Sequence, residues 1–134
     1  IEVSESIPLD SGDYRNLIRM EVTEDDGSVF VVAGTVLERK HARIVRIADY
    51  AITFIPEGIM AYVPHRNVPG VIGWVATTMG QYNVNISKMV TSTTVVDGKE
   101  ESIMLLNLDG DVPQAAIDKC LEASEIHEIR IVHL

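Results

Sequence analysis

The run Val63-Pro64-His65-Arg66-Asn67-Val68-Pro69-Gly70-Val71-Ile72 gathers the residue types best suited to holding a small polar ligand. It reads as an apolar strand entering a turn, followed by a proline and a glycine that open a helix. Proline is tolerated at the first helical position, where its missing N–H would be unpaired in any case, so Pro69 is placed at N1 and Val68 at the N-cap. Valine has no side-chain oxygen, so the N–H groups of Gly70, Val71 and Ile72 lack the cap that Ser, Asp or Asn supplies. Open N–H groups at the positive end of a helix attract anions, and glycine leaves room for a carboxylate to approach. His65 and Asn67, one step upstream, can add directional hydrogen bonds. The same residues also fit an ordinary strand-to-helix turn whose open N–H groups face water.

Composition narrows the partners. A chain of 134 residues with 46% apolar content suits one globular domain or two small ones, and no apolar run approaches the length of a membrane-spanning helix. Eleven Lys and Arg against twenty Asp and Glu give a net charge of −9, which repels nucleic acid and anionic lipid, so neither nucleic acid nor membrane is an expected partner. The single cysteine, Cys120, cannot form an internal disulfide and falls among Ala116, Ile117 and Leu121 in a helical pattern. It reads as a small core residue in a reducing, cytoplasmic setting. The start at Ile1, without methionine or a signal-like segment, is expected of a piece of a longer chain.

Two kinds of patterning divide the sequence. Residues 1–6 alternate as a strand, residues 8–14 carry the Pro, Asp, Ser and Gly of a loop, and residues 17–22 and 29–36 are β-branched runs flanking Glu24-Asp25-Asp26-Gly27, a hairpin signal. Residues 38–43 read as a polar turn, Ile44, Val45 and Ile47 as strand, Ala48-Asp49 as a tight turn. Tyr50, Ile52 and Phe54 then share one face of a further strand. Pro56-Glu57-Gly58 breaks the pattern, so the expected domains are 1–57, mostly β, and 58–134. In the second, residues 60–64 form a strand. Residues 69–82 form a helix with Val71, Val75, Thr78, Met79 and Tyr82 on one stripe, ended by Asn83, which tolerates the left-handed conformation. Residues 86–95, carrying Thr, Ser and Lys88, read as an edge strand turned back by Asp97-Gly98 onto a central strand at 102–108. Val112-Pro113 opens a second helix with Ala116, Ile117, Cys120 and Leu121 inward, and residues 126–132 close the sheet. The order βαββαβ predicts an α+β, ferredoxin-like fold with a four-stranded antiparallel sheet and both helices on one face. Asp111 is placed at the second helix start as an internal counter-charge, whereas the first start, with neutral Asn67, stays free for an external anion.

These residues resemble a known family. His65-Arg66-Asn67-Val68-Pro69-Gly70-Val71-Ile72-Gly73 and Tyr82-Asn83-Val84-Asn85-Ile86 are similar to the ACT regulatory domain at the C-terminus of D-3-phosphoglycerate dehydrogenases. Ser11-Gly12-Asp13-Tyr14-Arg15-Asn16-Leu17-Ile18, Ala33-Gly34-Thr35-Val36, Arg43-Ile44-Val45 and Pro56-Glu57-Gly58 resemble the intervening, allosteric substrate-binding domain that precedes it in the longer forms. The resemblance implies a parent enzyme that oxidises 3-phosphoglycerate with NAD in serine synthesis, inhibited in many members by L-serine bound between paired ACT domains. His65, Asn67 and Asn85 stand where the family holds the serine, together with Pro69, Gly70, Val71 and Ile72 at the helix start. It implies edge-to-edge homodimers within a tetrameric parent. Asn83 replaces the usual glycine at the helix end, and Val68 the arginine common before the Pro-Gly.

Further expectations follow from the same comparison. Arg39, Lys40, His41 and Arg43 form, with Arg46, the basic cluster of an acidic chain; the resemblance implies an anionic ligand such as phosphate, while the bare sequence fits a solvated turn. His127 and His133 read as surface residues. No residues have metal-ligand spacing, no serine has a nucleophile context, and the chain is expected to be non-catalytic and free of cofactor, NAD belonging to the parent. A second reading is the β-type regulatory part of an iron–sulfur L-serine dehydratase, and a third a dimerisation module without ligand.

Overall fold

The computed structural model describes residues 2–6, 16–23, 25–37 and 41–134, and for residues 2–6 and 37 the backbone alone. The chain divides into two compact units, Ile1–Pro56 and Glu57–Leu134. The loop expected at residues 8–14 lies outside the described residues.

The first unit is a five-stranded antiparallel meander: β1 (Glu2–Ser6), β2 (Ile18–Thr23), β3 (Val29–Leu37), β4 (His41–Ile47) and β5 (Tyr50–Phe54), in that spatial order. Gly27 takes φ +85 in the hairpin turn, and the Asp26 carboxylate accepts the Ser28 N–H at 2.8 Å, holding that carboxyl below its usual range. Strand register puts Ile18, Met20, Val32, Ile44, Ile47 and Phe54 on one face, because Met20 pairs Val32, Val32 pairs Ile47 and Ile44 pairs Phe54. Tyr50, Ile52 and Phe54 fall on one face as expected, with Ile52 and Phe54 buried and Ala51 and Thr53 exposed. The polar turn expected at 38–43 is corrected in part: His41, Ala42 and Arg43 belong to β4, paired with Leu37, Val36 and Thr35.

The second unit has the order β6 (Ile59–Arg66), α1 (Val71–Gln81), β7 (Asn85–Val96), β8 (Lys99–Asp109), α2 (Gln114–Cys120) and β9 (Arg130–His133). Its sheet runs β7-β8-β6-β9, all antiparallel, which is the interleaved βαββαβ topology. β8 is central and buried from residue 102 to 108; β7 is an edge. Ala61 and Val63 of β6 lie opposite Leu106 and Met104 of β8, and these four pack with Val71, Val75 and Met79 of α1 and with Cys120 of α2 into one core. Thr78 is buried on the same stripe, but Tyr82 is the helix C-cap and 36% exposed. Asn83 ends the helix at φ +60, and the Val84 N–H reaches back to the Met79 carbonyl at 2.9 Å.

Three local expectations are corrected. The N-cap of α1 is Gly70, at φ +96, and not Val68. Pro69 and Gly70 are the centre of a turn in which proline presets φ and only glycine readily takes the left-handed position, so the helix begins one residue after them. The second helix has Pro113 as N-cap with no side-chain cap bond, and Asp111 lies instead 3.8 Å from His133 Nε2. That helix stops at Cys120, leaving Leu121 41% exposed where an inward position was expected.

Cys120 is fully buried, and burial pushes its thiol up while a hydrogen bond with Thr78 draws it partly back. Because the thiolate is the reactive form, Ellman's reagent should label the native chain about a hundredfold or more slowly than the urea-unfolded chain. Fast labelling without denaturant would place Cys120 outside the core.

Candidate functional site

His65 is the last buried position of β6. Its register partner is Ser102, which puts it on the helix-facing side of the sheet with Val63, and it is 2% exposed. The expected strand end at residue 64 is corrected: β6 runs on to Arg66, and alternation along it points the His65 ring inward. Nδ1 lies 2.9 Å from the Arg66 carbonyl, and Nε2 is buried with no hydrogen-bond partner. Ile126 bridges His65 from the chain leading to β9.

Asn67 continues the ladder past the end of β6. Its N–H donates to the Glu100 carbonyl at 3.2 Å, and its side-chain Nδ2 donates to Glu100 Oε2 at 2.9 Å. Pro69 and Gly70 are exposed, Val71 turns into the core at 4% exposure, and Ile72 faces solvent. Glycine at the cap offers no side-chain oxygen, and α1 has no acidic residue in its first turn. The N–H groups that lack a side-chain cap are thus those of Val71, Ile72 and Gly73, one position later than the sequence pattern indicated.

Asn85 sits elsewhere. It opens β7 opposite Asp109, and its Nδ2 donates to Asp109 Oδ2 at 2.6 Å. Asn67 and Asn85 therefore flank opposite ends of β8: one bonds Glu100 and the other Asp109, nine residues and about 30 Å apart along an extended strand. The structure brings His65, Asn67 and the α1 start together at one end and leaves Asn85 at the other.

Glu100 and Asp109 escape sequence reasoning. Their roles depend on pairing: the Asp97-Gly98 turn, with φ +50 and +76, aligns Val96 with Lys99 in the β7–β8 ladder that ends on Asn85 opposite Asp109, and the separate β6–β8 register puts Glu101 opposite Arg66. The Asp-Gly signal was available, but not which carboxylate would meet which asparagine. His127 and His133 lie on the surface, His127 with Nε2 2.8 Å from Glu101 Oε2.

In the first unit, Arg39 and Lys40 lie outside the described residues. His41 is exposed at the start of β4, and Arg43 donates to the Ala42 carbonyl at 3.0 Å. Arg43 borders a cavity of about 360 Å³ whose walls include Ile18, Met20, Val32, Val36 and Ile44. Asn16 closes one side: its Oδ1 accepts the Val36 N–H at 3.0 Å, and the Thr35 hydroxyl bonds Asn16. Among the described residues no three His, Cys, Asp or Glu side chains are grouped to hold a metal, and no helix is long and apolar enough to cross a membrane.

No protein-family model matches the chain. Relatives do. A D-3-phosphoglycerate dehydrogenase from Methanocaldococcus jannaschii is 36% identical over 121 residues, 90% of this chain and 22% of the relative. Those from Bacillus subtilis and Synechocystis are 31% and 28% identical over 134 residues, the whole chain and 25% and 24% of the relatives. This chain is similar to a portion of D-3-phosphoglycerate dehydrogenase. It spans about a quarter of the length of the dehydrogenases it matches, as a C-terminal segment of that enzyme would. The sequence holds no Gly-x-Gly-x-x-Gly turn.

Proposed function

We propose that this chain is the regulatory part of a D-3-phosphoglycerate dehydrogenase, an ACT domain and part of an intervening domain, and that it binds L-serine or a similar small amino acid where two ACT domains meet. The observation that carries the reading is the division of the candidate residues between the two ends of β8, beside an open edge strand. β7 is 12 residues long, has β8 on one side only among the described residues, and exposes Met89, Val95 and Val96. Antiparallel pairing of β7 with its copy about a twofold axis sets the Asn85 end of one chain against the Asn67 end of the other. Each seam end then holds one helix start and both asparagines. The ligand carboxylate takes the N–H groups of Val71 and Ile72, the ammonium takes the asparagine oxygens, and His65, two residues before Asn67, offers its unpartnered Nε2.

The relatives' name favours the dehydrogenase over the iron–sulfur dehydratase. The parent enzyme would then oxidise 3-phosphoglycerate with NAD in the cytoplasm as a homo-oligomer, its catalytic groups lying in other parts of the protein. Ligand across the seam favours one relative orientation of subunits, which is how occupancy would reach those groups.

Titration calorimetry of the chain with L-serine at millimolar concentration, paired with sedimentation, tests this. Saturable heat from a dimer is expected, and Asn67→Ala should weaken binding by about 1–3 kcal/mol with an unchanged fold. No heat from wild type would defeat the reading; equal affinity in the variant would put the ligand elsewhere.

A further inference from the structure

We propose that Glu100 is a positioning residue that makes this site selective for ligands carrying an ammonium group. The inference rests on the amino-acid-binding reading above and concerns which end of an asparagine amide the ligand meets. An asparagine side chain carries an NH₂ donor and a carbonyl acceptor, and a turn of the amide exchanges them. An ionised carboxylate only accepts. Glu100 is tied to Asn67 twice, by its own carbonyl to the Asn67 N–H at 3.2 Å and by Oε2 to Nδ2 at 2.9 Å. Turning the Asn67 amide over would set two acceptor oxygens against each other with no proton between them. The amide is therefore locked with Nδ2 toward Glu100, and Oδ1, which accepts no hydrogen bond from the described residues, is left for a ligand.

The second asparagine repeats the arrangement. Asn85 Nδ2 donates to Asp109 Oδ2 at 2.6 Å, and its Oδ1 is likewise without a partner among the described residues. Each candidate ligand asparagine is thus held by a carboxylate that takes one of its two amide N–H donors and fixes which way the amide faces. Two acceptor oxygens backed by two negative charges suit a primary ammonium and oppose a carboxylate or phosphate oxygen. The anion-attracting groups lie at the α1 start instead, so the site sorts the two charged ends of a zwitterion. A hydroxy or keto acid of the same size meets the helix but leaves the asparagine oxygens unsatisfied.

L-serine and 3-hydroxypropanoate share a carboxylate and a hydroxyl and differ in the ammonium, so titration calorimetry with both compounds reads the inference. The chains to compare are wild type, Glu100→Ala and Glu100→Gln. Wild type should prefer L-serine. Both variants should narrow the serine-to-hydroxypropanoate ratio, the alanine by about tenfold or more, through weaker serine binding alone. Thermal unfolding and sedimentation should be unchanged, since Glu100 is exposed. A purely structural role would weaken both compounds together, and that result overturns the inference, as does a wild-type ratio in both variants. Should the alanine variant misfold, the near-isosteric glutamine decides alone. Wild type binding neither compound defeats the amino-acid reading and the inference with it, whereas serine binding with an unaltered ratio defeats the inference only.

Discussion

Met104→Ala is expected to lower the unfolding free energy of the second unit by about 2–5 kcal/mol. Met104 is fully buried on the helix-facing side of the central strand, where its register partners are Val63 and Thr91, and it belongs to the core shared with α1 and α2. Truncation removes the apolar contacts and leaves a cavity that strands on both sides hold open. Since small domains are stable by only about 5–15 kcal/mol, this is a large fraction of the total. Trp74, the chain's single tryptophan, lies on α1 with its Nε1 donating to the Cys120 carbonyl at 3.1 Å. Urea titration followed by its fluorescence therefore reports on this unit. A loss below about 1 kcal/mol would mean that the core can close around the gap.

Under the proposed pairing, Thr91→Asp should abolish association through β7 and, with it, binding of L-serine. Thr91 is exposed near the middle of the edge strand, so a twofold axis through that strand sets the new carboxylate close to its own copy. Like charges juxtaposed at an interface cost several kcal/mol, while an exposed polar substitution within one chain costs little. Sedimentation should give a monomer that unfolds normally, and calorimetry should give no serine heat. Full serine affinity in a monomeric variant would rule out a site shared between chains.

Much of the second unit can be read from periodicity. Val75, Thr78 and Met79 recur at helical spacing, the apolar run of β8 marks a central strand, and Thr, Ser and Lys88 mark β7 as an edge. Local pattern is enough there because each element buries one continuous surface. It misled at Gly70, where Pro-Gly serves as a turn before the helix, not as its first residues. It misled at His65 as well: the pattern ends the strand at residue 64, but β6 runs on to Arg66 and its alternation carries His65 into the core. The short second helix and exposed Leu121 show a weaker limit, since the spacing of Ala116, Ile117, Cys120 and Leu121 does not say where the helix stops. Glu100 and Asp109 were beyond sequence reasoning for a different reason. The Asn67–Glu100 contact is set by register between β6 and β8, which α1 and β7 separate in sequence, and the Asn85–Asp109 contact by the register shift between Ile86 and Lys88 in the β7–β8 hairpin, which the turn residues do not encode.

The separation of Asn67 from Asn85 along β8 has a thermodynamic corollary under the proposed pairing. If neither end of a lone chain is complete, ligand affinity and self-association are linked by mass action. Dilution below the dimer dissociation constant should weaken apparent serine affinity, and saturating serine should tighten the dimer by the same factor. Such a chain senses metabolite and protein concentration jointly, with one ligand bound per subunit and two per pair.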